Sequence, residues 1–319
     1  MKQIMQIPGI LAFLFMGIAV HAQFNRQSIV QYQMDGLALN PAYAGAAGAT
    51  SFEAFYFGNF DNLGTLSRSA VVSVHGPSYS GDRAFGGVLE FFKTGFTSEV
   101  ALQPAFAFLR PAGNGTLSFG AGIGIRYFDF DDDGFGGAPA NFAVLEESAG
   151  AMFRNDRFFA GLSAANFYEL SLRNEDLGSP GVVPRDAPIS LTAGGLWQVH
   201  EDLILKPAFL VQTVKRHFLS DDAVAAPADT RYTNLEFLPS VIVQETYLIG
   251  LLMGVSDFDD GSRLNRIGLS ITLNFDNFHM GYALVRNSNN QNLELPTSHM
   301  ISAGYTFAAP DQSGTPKFF

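Results

Sequence analysis

Asp129, Asp131 and Asp133 alternate along the chain and run into Gly134, the order of oxygen ligands and turn glycine that opens a calcium loop. Such a loop closes on a bidentate glutamate at its twelfth position, which here is Ala140. The trio is therefore a calcium candidate set against a plainer reading, a solvated acidic loop tip, and Ser256-Asp257-Phe258-Asp259-Asp260-Gly261 poses the same choice. Hydrolysis would need a serine, a histidine and a carboxylate meeting at one point. His279 shares its face of an extended segment with Gly281 and Ala283, whereas His299 shares a face with Ile301 and Tyr305, so the two do not converge. His75, His200 and His217 carry no metal-ligand spacing. The chain has no cysteine, which removes thiolate nucleophiles, thiolate metal sites and disulfides. No catalytic residue and no cofactor follow from these residues, and the expected role is non-enzymatic.

Strands must position whatever the chain does use. Leu117, Phe119, Ala121, Ile123, Ile125 and Tyr127 interleave with Ser118, Gly120, Gly122, Gly124 and Arg126. Ile267 to Phe275 and Ile301 to Phe307 repeat this period-two alternation of apolar with small or polar residues. Successive side chains on a strand point to opposite faces, so each segment has one greasy and one polar face. A transmembrane barrel turns the first to lipid and the second to a lumen, with tilted strands of about ten residues. About fourteen such runs can be marked, from Ala49–Phe57 to Ser298–Phe307, including Glu147–Arg154. The expected fold is all-β, a transmembrane antiparallel up-and-down β-barrel of about 14 strands, closed by an even number of strands. Pro104, Pro207 and Pro239 fall inside marked runs, where the missing donor predicts a bulge or a strand end.

Connections alternate in length. Asn155-Asp156, His200–Asp202, Gln244 and Asp276-Asn277 read as tight turns, and Phe130–Glu146, Phe167–Ala187 and Arg216–Tyr232 read as long loops. Short turns on the periplasmic side would place both termini there. Aromatic clusters such as Phe55-Tyr56-Phe57 and Tyr127-Phe128 near strand ends suit interfacial girdles. Arg126 and Lys206 have the parity opposite the apolar set and are lumen-facing candidates, placed to pair with acidic residues of a plug. Inward glycines at 120, 122, 124, 250 and 254 leave room for a plug or for close backbone approach.

Only 15% of the 319 residues are charged, against roughly 25% in a typical soluble domain, so the chain is poor in solvating surface. A net charge of −11 argues against nucleic acid as a partner. Lys2, the apolar run Ile7–Val20 and the small-residue site ending at Ala22 read as a secretory signal peptide over 1–22. That leaves 23–48 as a periplasmic or plug-like segment, 49–307 as the barrel and 308–319 as a periplasmic tail.

Gly36-Leu37-Ala38-Leu39-Asn40-Pro41-Ala42-Tyr43-Ala44-Gly45 resembles the opening of the PorP/SprF family, type IX secretion outer-membrane proteins of the Bacteroidota. Ser73-Val74-His75-Gly76-Pro77, Phe159-Ala160-Gly161-Leu162-Ser163, Leu205-Lys206-Pro207-Ala208 and Ser298–Phe307 extend the resemblance over nearly the whole mature chain. It implies a non-enzymatic barrel in a Gram-negative outer membrane, with Asn40, Pro41, Ala42, Tyr43 and Gly45 as family motif. The partners it implies are membrane lipids, a secreted or surface-displayed cargo protein, and periplasmic lipoprotein or ring components. The alternatives are a channel for hydrophobic or small solutes with residues 23–48 as a hatch, and a soluble secreted β-protein.

Overall fold

The computed structural model describes residues 31, 35–61, 64–94, 97–130, 140–165, 168–172, 182–184, 188–216, 230–258, 261–289 and 294–307. A 3-10 turn at Pro41–Tyr43 precedes β1 (Ser51–Asp61), β2 (Gly64–Pro77), β3 (Arg83–Thr94), β4 (Thr97–Ala112), β5 (Gly115–Phe130) and β6 (Ala140–Arg154). Next come β7 (Phe158–Ala165), β8 (Tyr168–Leu172), β9 (Val182–Pro184), β10 (Ile189–Gly195), β11 (Trp197–His200), β12 (Leu203–Leu205) and β13 (Ala208–Arg216). The last are β14 (Thr230–Leu238), β15 (Ser240–Val243), β16 (Tyr247–Phe258), β17 (Arg263–Phe275), β18 (Phe278–Asn289) and β19 (Glu294–Thr306). Segments β7 and β8, β9 to β11, β12 and β13, and β14 and β15 each run on as one stave, giving a closed antiparallel barrel of 14 strands. Closure is made by β1 against β19, from Ser51↔Thr306 to Phe60↔Thr297.

The breaks within staves have a backbone cause. Pro207 separates β12 from β13 and Pro239 separates β14 from β15, because neither can donate to a ladder. Pro104 stays inside β4, but the ladder to β5 jumps from Leu102↔Ile125 to Ala105↔Gly122. The sequence reading began the sixth strand at Glu147; it begins at Ala140, and the whole of β6 pairs with β5 from Thr116↔Arg154 to Phe130↔Ala140. The consecutive apolar residues Ala143, Val144 and Leu145 break the alternation ahead of Glu147 and hid an extension that cross-strand pairing supports.

Burial is inverted relative to a soluble β-protein. In β17 the odd positions Ile267, Leu269 and Ile271 are exposed while Arg266, Ser270 and Thr272 are buried. Ser73, Ser118, Ser190, Asn234, Glu236 and Ser302 share the interior with an apolar set that includes Val71, Met152, Leu210, Leu238 and Leu252, while exposed Phe, Ile and Leu cover the outside. At the end where β1 begins and β19 finishes, exposed rings of Phe52, Phe85, Phe108, Phe158, Tyr247 and Tyr305 form a girdle. Tight turns join the strands at this end. Gln244, Glu245 and Asp276 take positive φ there, as two-residue hairpins demand. In the turn between β2 and β3, the Ser80 hydroxyl bonded to Asp82 holds that carboxyl below the usual range, with Arg83 and Arg110 alongside.

Candidate functional site

Residues from Asp35 to Ala49 run along the polar face of the wall, and the motif Asn40-Pro41-Ala42-Tyr43-Ala44-Gly45 is their point of attachment. Asn40 caps the 3-10 turn, accepting from the Ala42 amide at 2.9 Å. Its Nδ2 donates to the carbonyls of Ala151 at 3.3 Å and Leu162 at 3.5 Å. Pro41 presets the first position of the turn. Two wall hydroxyls grip the backbone: Ser118 Oγ donates to Ala42 O at 2.8 Å and Ser163 Oγ to Leu39 O at 2.7 Å.

The close approach depends on missing side chains. A Cβ at Gly120 would overlap the backbone of Pro41 and Ala42, one at Gly150 would overlap Asn40 Oδ1, and one at Gly161 would lie 2.9 Å from Asn40 Nδ2. Gly120 and Gly150 are paired directly across β5 and β6. Of the inward glycines singled out by parity, Gly120 receives the segment, whereas Gly122, Gly250 and Gly254 make room for wall side chains.

Beyond the turn, the Tyr43 ring meets the His75 ring edge-on, 5.5 Å between centroids. His75 Nδ1 accepts from the Gly45 amide at 3.2 Å, leaving Nε2 toward Asp35 Oδ1 at 3.6 Å. Asp35 also takes the Ser73 hydroxyl and the Leu37 amide, the latter at 2.8 Å. Arg154 donates to the carbonyls of Gly45 and Ala46. Gly45 itself sits at φ 73°, and a Cβ there would stand 2.6 Å from Ala84 Cβ. Asn40, Pro41, Tyr43 and Gly45 thus each have a local reason. Two stretches quoted for the resemblance, Ser73–Pro77 and Phe159–Ser163, supply wall contacts to it.

Three polar groups line the lumen elsewhere. Arg126 is bound by Glu146 at 2.6 Å, Glu90 at 2.9 Å and Glu99 at 3.3 Å. These partners come from neighbouring wall strands, so the expectation of acidic partners on a plug is corrected. Side chains on β3, β4, β5 and β6 that share one face converge there by register alone. Across the barrel, Arg266 pairs with Glu236 at 3.3 Å and reaches Ser256 and Asn234. Glu53 and His279 pair at 2.8 Å over Gly304. Lys206 is buried at the break between β12 and β13. A cavity of about 80 Å³ remains between the segment and the wall, lined by Gln31, Leu37, Glu90, Gln103, Arg126 and Glu146. It is polar and sized for a few waters.

Asp129 is exposed at the end of β5; Asp131 and Asp133 lie outside the described residues, as do 1–30, His217 and the tail 308–319. Ala140, the twelfth loop position, is the first residue of β6. No cluster of three or more His, Asp or Glu able to hold a metal occurs among the described residues. His279 faces inward to Glu53, and His299 bonds Tyr282 Oη at 2.7 Å on the outer face. Sequence reasoning missed Asp35, Ser73, Arg154 and Glu53, whose partners lie tens to hundreds of residues away.

The family description "Type IX secretion system membrane protein PorP/SprF" matches residues 22–305. The chain belongs to the PorP/SprF family. Its barrel is that of an outer-membrane secretion component. No curated protein sequence matches it. Among solved structures it is similar to "CymD monoaromatic hydrocarbon channel", at 9% identity and TM-score 0.58 over 86% of this chain and 93% of that one. It is also similar to "TodX monoaromatic hydrocarbon channel deltaS2 mutant", at 13% identity and TM-score 0.52 over 86% and 94%. At these identities the likeness speaks for the barrel fold alone.

Proposed function

We propose that this PorP/SprF protein is a non-enzymatic scaffold for type IX secretion, its lumen occupied by its own residues 23–48 acting as a fixed plug. The observation carrying this reading is the attachment of Leu39–Gly45 to three wall glycines and two wall serines, more than a loose hatch requires. A filled lumen leaves the rims for work. The tight turns, both termini and the tail 308–319 face the periplasm and contact lipoprotein or ring components, and the opposite loops receive a secreted or surface-displayed cargo. Residues 1–22 are removed on export.

The rival reading, a channel for hydrophobic solutes, draws on the likeness to two monoaromatic hydrocarbon channels. Against it stands an interior in which residues 37–46 pack with Val71, Val88, Met152, Leu210 and Leu252 among polar Ser, Thr, Asn and Glu, which leaves an apolar solute little room. Deleting the gene separates the two. The scaffold predicts loss of one cell-surface cargo with unchanged toluene uptake; intact cargo display with reduced uptake would refute it.

A further inference from the structure

Among the side chains described, Arg68 and Lys93 form a pair of like charges on the outer face that the fold does not neutralise. Arg68 on β2 and Lys93 on β3 stand directly opposite each other in register. Arg68 has the parity of exposed Val74 and Lys93 that of exposed Phe85 and Phe91, so both point out of the barrel. Side chains facing each other across an antiparallel pair are neighbours, and like charges so placed repel. Three other rim cations have carboxylate partners: Arg263 bonds Asp257 at 2.5 Å, and Arg83 and Arg110 lie within 4 Å of Asp82. Among the described residues, Arg68 and Lys93 have no ion pair.

Their height on the wall is informative. Lys93 is the last residue but one of β3, at the end opposite the tight turns, and exposed Phe91 lies one step below it on the same face. Exposed Phe60 and Tyr127 flank the site on β1 and β5. Aromatic rings beneath cations are the arrangement of a membrane interface, with rings at the hydrocarbon boundary and charge among the headgroups. His299, opposite Gly58 on β1, which in turn faces Arg68, extends the polar patch with its Tyr282 bond. Asp129 is the acidic group on this face in register, two strands beyond Lys93.

We infer that Arg68 and Lys93 form a binding site for the phosphate of an anionic lipid headgroup in the leaflet at this end of the barrel. A guanidinium and an ammonium converging from adjacent strands can share one phosphate, which turns their repulsion into a common attraction. The inference rests on the barrel lying in a bilayer and is independent of the secretion role.

Native mass spectrometry of the full-length protein tests it, with phosphatidylglycerol, phosphatidylcholine and inorganic phosphate as probes. The wild type should retain phosphatidylglycerol about thirtyfold more than phosphatidylcholine, the equivalent of two near-surface cations. The preference should vanish in R68Q/K93Q, and also in K93E, where Arg68 gains an internal partner and the fold loses a repulsion. Free phosphate at millimolar concentration should not displace the lipid. Equal retention of both lipids by the wild type, an undiminished preference in K93E, or full displacement by inorganic phosphate would overturn the assignment.

Discussion

At the scale of single residues, the docking motif is held by polarity on one side and by empty space on the other, and each can be removed alone. Asn40→Ala deletes the cap and both donations to wall carbonyls, a loss of about 2 kcal/mol of attachment. The expected result is faster protease cleavage near residues 35–49 with the barrel still resistant. Gly120→Val puts methyls where the Pro41–Ala42 backbone lies and should eject the segment outright. Gly87→Ala, with open space around its Cβ position, is the matched control and should change nothing. Arg126 is the reverse case, a buried charge shared by three carboxylates. Arg126→Met removes their shared cation and should cost about 3 to 5 kcal/mol, read as a lower urea midpoint for folding into vesicles. Arg126 and the inward glycines were legible because parity assigns a face from the sequence alone. The Asp35–Ser73–His75 group was not, since a lone carboxylate gives no sign of which strand it will meet.

Individual strands announce themselves through period-two alternation, and the marked runs coincide with the observed staves to within a few residues at most ends. The main exception is chemical: β6 starts seven residues earlier than expected because Ala143, Val144 and Leu145 are consecutive apolar residues that break the period-two alternation, with Val144 buried on the inner face. The inversion of burial makes a direct prediction at this scale. Ile123 is 63% exposed on the outer face near the middle of β5, so Ile123→Arg should cost about 2 to 4 kcal/mol in vesicle folding. Tyr79, fully exposed in the turn between β2 and β3, should accept arginine within about 0.5 kcal/mol. Equally small costs at the two sites would mean that water, not lipid, covers the outside.

At the scale of the whole molecule, closure of β1 on β19 leaves no free sheet edge, and a barrel of this circumference encloses space that something must fill or leave wet. The sequence could indicate that a plug was possible, because residues 23–48 lack strand pattern; it could not reveal the three-glycine platform, which exists only once β5, β6 and β7 are in register. The central claim is that this platform keeps the lumen shut in the working protein. Single-channel recording in a planar bilayer addresses it most directly, comparing the wild type with Gly120→Val. A silent wild type and a steadily conducting variant are predicted; steady openings from the wild type, or silence from a variant whose N-terminal segment protease has already removed, would contradict it.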